Sequence, residues 1–185
     1  LSVPVYQLLG GRFRDKVEIA HSIGLMDIDM AVAEAAKVVE EGVTTLKIKI
    51  GLDPDRDVSI VREVRKAVGD KTRIRVDANQ GYRNWRQAVD AIQRMTEFGI
   101  AYAEQPVDGV PAMAEVSARC SVPIMADESV WTERDVIAVA TAGAAQYLSV
   151  YYTKPGGLWK TRRLLTVAGA HGFACDINGS GEMGI

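Results

Sequence analysis

The chain has 185 residues, 48% hydrophobic and 25% charged, ordinary proportions for a globular protein and enough length for one domain with a core. A formal net charge of −2, with no lysine or arginine block, argues against nucleic-acid or membrane-surface partners. The apolar runs are strand-length, far short of the ~20 residues a membrane span needs, so no membrane is implied and a cytoplasmic location is expected.

Short apolar runs alternate with amphipathic segments. Strands are predicted at 17–23, 45–50, 73–79, 101–106, 123–128, 146–152 and 172–178, with helices at 29–41, 55–68, 84–98, 110–119, 132–142 and 157–171. The first strand carries His21, and a lone histidine there reads as a hydrogen-bonded core group before a pocket residue. In the second, TLKIKI, Leu46, Ile48 and Ile50 take one face while Lys47 and Lys49 share the other. The helix at 55–68 has an apolar stripe of Val58, Ile60, Val61, Val64 and Val68, between a start signal at Asp53-Pro54 and a stop at Gly69. The third strand ends in Asp77 and Asn79, the fourth in Glu104, and the fifth in Asp127 and Glu128. In the sixth, Ser149, Tyr151 and Thr153 are expected to face inward. Trp131 and Trp159 are expected to pack helices against the sheet, and His171 closes the last helix. Cys120 precedes the fifth strand and Cys175 lies in the seventh; they form no motif and read as reduced thiols.

Strand and helix alternating at this spacing predict parallel βα units. Seven strands, six intervening helices and no glycine-rich nucleotide fingerprint after the first strand favour an α/β fold of the (β/α) barrel kind over an open doubly wound sheet. A complete eight-unit barrel needs ~250 residues, so this chain is expected to hold most of one as a single unit.

Residues at the carboxyl ends of such strands line the active site. Lys49, Asp77, Glu104 and Asp127 follow one another at intervals of 28, 27 and 23 residues, about one βα unit each, which places the three carboxylates on adjacent strands. Three converging carboxylates repel one another, and a hard divalent cation, magnesium or manganese, resolves that. The alternative is that they pair with lysines at the barrel top. Beside such a cation and another ammonium a lysine loses some preference for its charged form. A neutral Lys49 then removes a proton alpha to a metal-held carboxylate, giving an enediolate. The alternative for the lysines is that both simply reach for solvent.

KIKIG, RVDANQGY, AEQPV, PIMADES and KPGG, in that order, resemble the enolase superfamily in its muconate lactonizing enzyme (mandelate racemase/muconate cycloisomerase) branch. The resemblance implies a modified TIM-type barrel of seven βα units closed by an eighth strand and capped by an α+β domain. On that basis residues 1–16 are a lead-in from a capping domain outside this chain, and 17–185 an incomplete catalytic barrel lacking the closing strand. It implies Lys49 as base and Lys47 as the neighbour touching the substrate carboxylate. It implies Asp77, Glu104 and Asp127 as magnesium ligands, with Asn79 and Glu128 orienting them. A small carboxylate substrate and a homo-oligomer are also implied.

The sequence departs from that pattern on the sixth strand. A second catalytic lysine usually stands three residues before the K-x-G-G turn, and here that position is Tyr151, ahead of Lys154-Pro155-Gly156-Gly157. Tyr151 either fills the barrel interior or donates a proton or hydrogen bond; as a base at neutral pH a phenol is poor. Lys154 is present in ordinary family members and is not taken as a substitute base. Glu182 resembles a glutamate at the pocket wall. The expected activity is magnesium-dependent, muconate cycloisomerase-like proton abstraction. The alternatives are an acid-sugar or hydroxy-acid dehydratase, an amino-acid or dipeptide epimerase, and a non-catalytic barrel.

Overall fold

The computed structural model describes residues 2–179. The elements are α1 (Val5–Leu8), β1 (His21–Ile23), α2 (Ile28–Glu40), β2 (Thr45–Lys49), α3 (Pro54–Val68), β3 (Arg73–Asp77), α4 (Trp85–Thr96), β4 (Ile100–Glu104), α5 (Val110–Ser117), β5 (Ile124–Ala126), α6 (Glu133–Ala142), β6 (Tyr147–Val150), α7 (Leu158–Ala170) and β7 (Ala174–Ile177). The local signals act as expected. The Asp53 carboxylate accepts the backbone N–H groups of Asp55 and Arg56 at 3.1 and 3.0 Å, Pro54 opens α3, and the helix stops before Gly69. Asn84 caps α4 in the same way, and Thr132 with Asp135 forms a capping box on α6.

The seven strands form one parallel sheet in chain order, each pairing with its sequence neighbours. The sheet is curled into an incomplete barrel, because Arg75 on β3 reaches across to form an ion pair with Asp176 on β7. Tyr102 joins this layer, donating its hydroxyl to Asp176 at 2.6 Å and stacking on Tyr147 with centroids 5.3 Å apart. Leu46, Ile48, Ile74, Val76 and Ile124 are fully buried in the same apolar cluster as Ala35, Val61, Ile92 and Val136 of the helices. The other face of the sheet therefore carries the polar groups.

Some boundaries and placements differ from those predicted. Strand β1 begins at His21 rather than 17. His21 pairs with Leu46 and β2 starts at Thr45, so residues 17–19 have no strand beside them; Val17 and Ile19 are exposed. Strand β6 ends at Val150, which leaves Thr153 in the following turn rather than on the inward face. Trp131 and Trp159 do not pack helices against the sheet. Both are exposed, Trp159 beneath the Arg162 guanidinium and Trp131 near the Lys154 amine. His21 meets Glu34 of α2 at 2.6 Å, the satisfied role expected of it. Cys120 and Cys175 are free thiols.

Candidate active site

The strand register brings the predicted residues together. Lys49 pairs with Asp77 and Asp77 with Glu104, so three of the predicted site residues stand in one row across β2, β3 and β4. Glu104 pairs with Met125, and Asp127 lies two residues further on, just past the end of β5. Lys47 is one pleat deeper than Lys49, opposite Arg75.

From that depth the Lys47 ammonium rises between two carboxylates. It lies 2.8 Å from Asp77 Oδ2 and 2.9 Å from each Glu104 oxygen, donating to Oε1. Lys49 donates to Asp77 Oδ2 at 2.6 Å and to Asn79 Oδ1 at 2.5 Å. Lys47 is buried, whereas the Lys49 side chain keeps 27% exposure, so only Lys49 is open to an incoming molecule. Asn79 in turn donates to Glu128 Oε1 at 2.9 Å. Lys154 pairs with the Asp127 carboxylate, donates to the Asp127 carbonyl at 2.8 Å, and sits 4.6 Å over the Tyr151 ring and 5.9 Å from that of Trp131. Tyr151, half-buried beside these groups, belongs to the same cluster. Glu182 lies outside the described residues.

The electrostatics follow from burial and these pairings. Burial acts to lower Lys47, but the charges of Glu104 and Asp77 outweigh it and hold the amine above its ordinary value. Burial acts to raise Asp77, and the two ammonium groups overcome it, leaving the carboxyl below the usual range. Glu104 is pushed up to about 7, first by burial and then by Asp77, against the pull of Lys47. Tyr151 is pushed up to about 12, by burial and then by Asp127. At neutral pH it is a phenol.

A supporting residue escaped the sequence reading. Gln105, wholly buried, accepts the N–H groups of Asp127 and Ser129 on Oε1 at 2.9 and 3.2 Å and donates to Val107 O and Ser129 Oγ. It stitches the end of β4 to the end of β5 and fixes where Asp127 stands. Its φ of 34°, with 42° at Asn79 and 64° at Gln80, places three non-glycine residues in the left-handed region directly behind the carboxylates. Its place in AEQP, next to Glu104, was the available signal.

The donor set is all oxygen, as magnesium or manganese requires. Glu128 Oε2 is buried with no hydrogen-bond partner, and Glu104, although paired with Lys47, is destabilised as an anion, both of which a divalent cation would offset. The residues fit such an ion in chemistry. No ready-made cage of three acidic, histidine or cysteine side chains exists among the described residues, since Lys47 and Lys154 hold the carboxylates as ion pairs.

Comparison with known proteins decides the family. The profile described as "Enolase C-terminal domain-like" matches residues 30–185. The chain belongs to this family. Among enolase C-terminal-domain relatives, muconate cycloisomerase 1 of Rhodococcus opacus is 37% identical over 181 residues, covering 95% of this chain and 48% of its own. The L-Ala-D/L-Glu epimerase of Bacillus subtilis is 36% identical over 180 residues, 95% of this chain and 49% of its own. A substrate-liganded structure of that epimerase superposes with a TM-score of 0.90 over 94% of this chain and 49% of its own, at 35% identity. A dipeptide epimerase from Enterococcus faecalis V583, complexed with Mg and the dipeptide L-Leu-L-Tyr, gives 0.90 at 31% identity over 94% of this chain and 49% of its own. The chain spans about half the length of the curated relatives it matches. No helix among the described residues is long and apolar enough to cross a membrane.

Proposed function

We propose that this chain supplies the base and the magnesium-binding carboxylates of an enzyme that removes a proton alpha to a carboxylate, in a muconate cycloisomerase-like reaction in the cytoplasm. The observation that carries the reading is the row of Lys49, Asp77 and Glu104, with the Lys49 amine 2.6 Å from Asp77 and open to solvent on its other side. Asp77, Glu104 and Asp127 are the residues that would hold the metal, oriented by Asn79, Glu128 and Gln105. A bound magnesium ion supplies positive charge where the deprotonated acid accumulates negative charge.

The rest falls to the side chains. Lys49, as the free amine, takes the proton, and Asp77 Oδ2 with Asn79 Oδ1 steadies the ammonium that results. Lys47 stays charged and keeps Asp77 and Glu104 from repelling each other; its role at the substrate carboxylate rests on the family resemblance. Tyr151 remains protonated and so can donate but not accept a proton at neutral pH. That favours chemistry from one face, cycloisomerisation or syn elimination, over two-base epimerisation. Relatives named epimerase favour the second reading, and the same assay separates them.

The test follows α-proton exchange in D2O by NMR, with magnesium, for muconolactones, N-acyl amino acids, dipeptides and acid sugars, using the full-length protein and Lys49→Ala. Exchange with one class, lowered by ~100-fold or more in Lys49→Ala, is the expected result. Exchange at full rate in the variant removes Lys49 from the role. A racemised product rather than a cyclised or dehydrated one selects the epimerase reading.

A further inference from the structure

The loops after β1, β2 and β3 converge on a buried carboxylate outside the cluster described above. Asp57 stands in the first turn of α3 and is wholly buried. Its Oδ2 accepts the N–H of Gly51 at 2.8 Å and the hydroxyl of Tyr82 at 3.0 Å. Its Oδ1 lies 3.3 Å from Nη1 of Arg56, whose Nη2 donates to the Met26 carbonyl at 2.6 Å. One side chain is thus tied to the loop after each of three consecutive strands.

Those loops also touch through their backbones. A Cβ built at Gly51 would lie 2.6 Å from the Ala78 carbonyl oxygen, and one built at Gly81 would lie 2.3 Å from that of Gly51. Only glycine permits this approach. The Ile50 N–H donates to the Asp77 carbonyl at 2.9 Å, which continues the sheet up to the contact. Gly51 is two residues beyond Lys49, and Tyr82 three beyond Asn79, to which Lys49 donates. Asp57 therefore holds the chain just after each partner of the Lys49–Asn79 contact.

The position is a costly place for a carboxylate. Asp57 lies on the same face of α3 as Ile60, Val61 and Val64, all fully buried, and burial pushes its carboxyl up. An apolar side chain would complete that stripe; the carboxylate is explained by what it holds.

We infer that Asp57 is a positioning residue for Lys49, acting through Gly51 and Tyr82 to fix the amine against Asp77 and Asn79. The inference rests on the reading of Lys49 as the base. Misplacing a reacting group by about 1 Å lowers rate by ~100-fold, so the effect falls on kcat.

The test uses Asp57→Asn and Tyr82→Phe in the full-length protein, with two readouts. The first is kcat and KM for α-proton exchange. The second is the 13C NMR resonance of reductively dimethylated Lys49, assigned with Lys49→Arg. For Asp57→Asn the expected result is a kcat lower by ~10- to 100-fold, KM within ~3-fold, and a shifted Lys49 resonance. Tyr82→Phe moves both in the same direction by less, and it decides the matter if Asp57→Asn does not fold. A folded variant with kcat within ~2-fold and an unmoved Lys49 resonance overturns the inference. If the unaltered protein exchanges no α-proton of any substrate, the proposed function falls, and the Lys49 resonance alone still decides whether Asp57 positions that side chain.

Discussion

The ammonium of Lys47 lies 2.9 Å from both carboxylate oxygens of Glu104, yet Glu104 is still pushed up to about 7. Burial and the neighbouring Asp77 charge outweigh a lysine that is shared with Asp77 itself. The network is therefore under electrostatic tension concentrated on one residue, and that tension is measurable.

A folded-state value above the ordinary 4.5 means that the folded protein holds the Glu104 proton more tightly than the unfolded chain does. The stabilising contribution is present below about pH 4.5 and is lost as pH rises through about 7. A rise from 4.5 to about 7 corresponds to on the order of 3 kcal/mol. In chelator-treated buffer, the urea midpoint of the unaltered protein should fall between these pH values relative to Glu104→Gln. Parallel profiles for the two proteins would show that Glu104 carries no such shift.

Lys154→Met removes the partner of a nearly buried carboxylate, since the Lys154 and Asp127 side chains are only 10% and 6% exposed. Losing one member of such a pair costs about 3 kcal/mol or more, because the other charge is left uncompensated. Calorimetry without divalent cations should show the loss, and added manganese should recover part of it. Trp131, 5.9 Å from the Lys154 amine, gives an optical check, because its fluorescence should change in the variant.

The thiols of Cys120 and Cys175 are both raised to about 11, chiefly by burial. Against an ordinary value of 9.0, that leaves ~100-fold less thiolate at neutral pH. Mass spectrometry after iodoacetamide treatment at pH 7.5 should find both unmodified on the timescale that labels a free thiol fully. Rapid labelling of the folded protein would contradict the raised thiol values of these partly buried residues.

Two glycines should respond oppositely to alanine. At Gly81 a methyl group meets the Gly51 carbonyl oxygen at 2.3 Å, and backbone must shift to admit it. A loss of about 2 kcal/mol or more in unfolding free energy is expected there. Gly169, on the exposed side of α7, has nothing within 4 Å of the added Cβ. Alanine should stabilise the protein by roughly 0.5 kcal/mol there, by lowering the chain entropy lost in forming the helix.

Much of the architecture was legible because the two periodicities were clean. The alternation of Leu46, Lys47, Ile48, Lys49 and Ile50 specified both the strand and its two faces, and Asp53-Pro54 and Asn84 opened helices where expected. The row of Lys49, Asp77 and Glu104 followed from spacing, since parallel βα units bring successive strand ends into register. Lys154 was legible as a residue but not as the partner of Asp127, because the turn after β6 brings it back over the end of β5. The Arg75–Asp176 pair spans 101 positions and depends on the curl of the whole sheet, which no local pattern encodes. Asp57 was hidden by its own stripe, an acid at an apolar period that is read as noise until the three loops meet on it.

The depth of Lys47 beneath its acids changes what the proposed cation uptake would mean at this site. Asp77, Glu104 and Asp127 already carry resident counter-ions, so a divalent ion held as proposed would trade places with ammonium groups rather than fill a hollow. The apparent affinity is then a difference between two sets of ionic contacts. Where Lys47 and Lys154 settle afterwards would set selectivity as much as the carboxylates do.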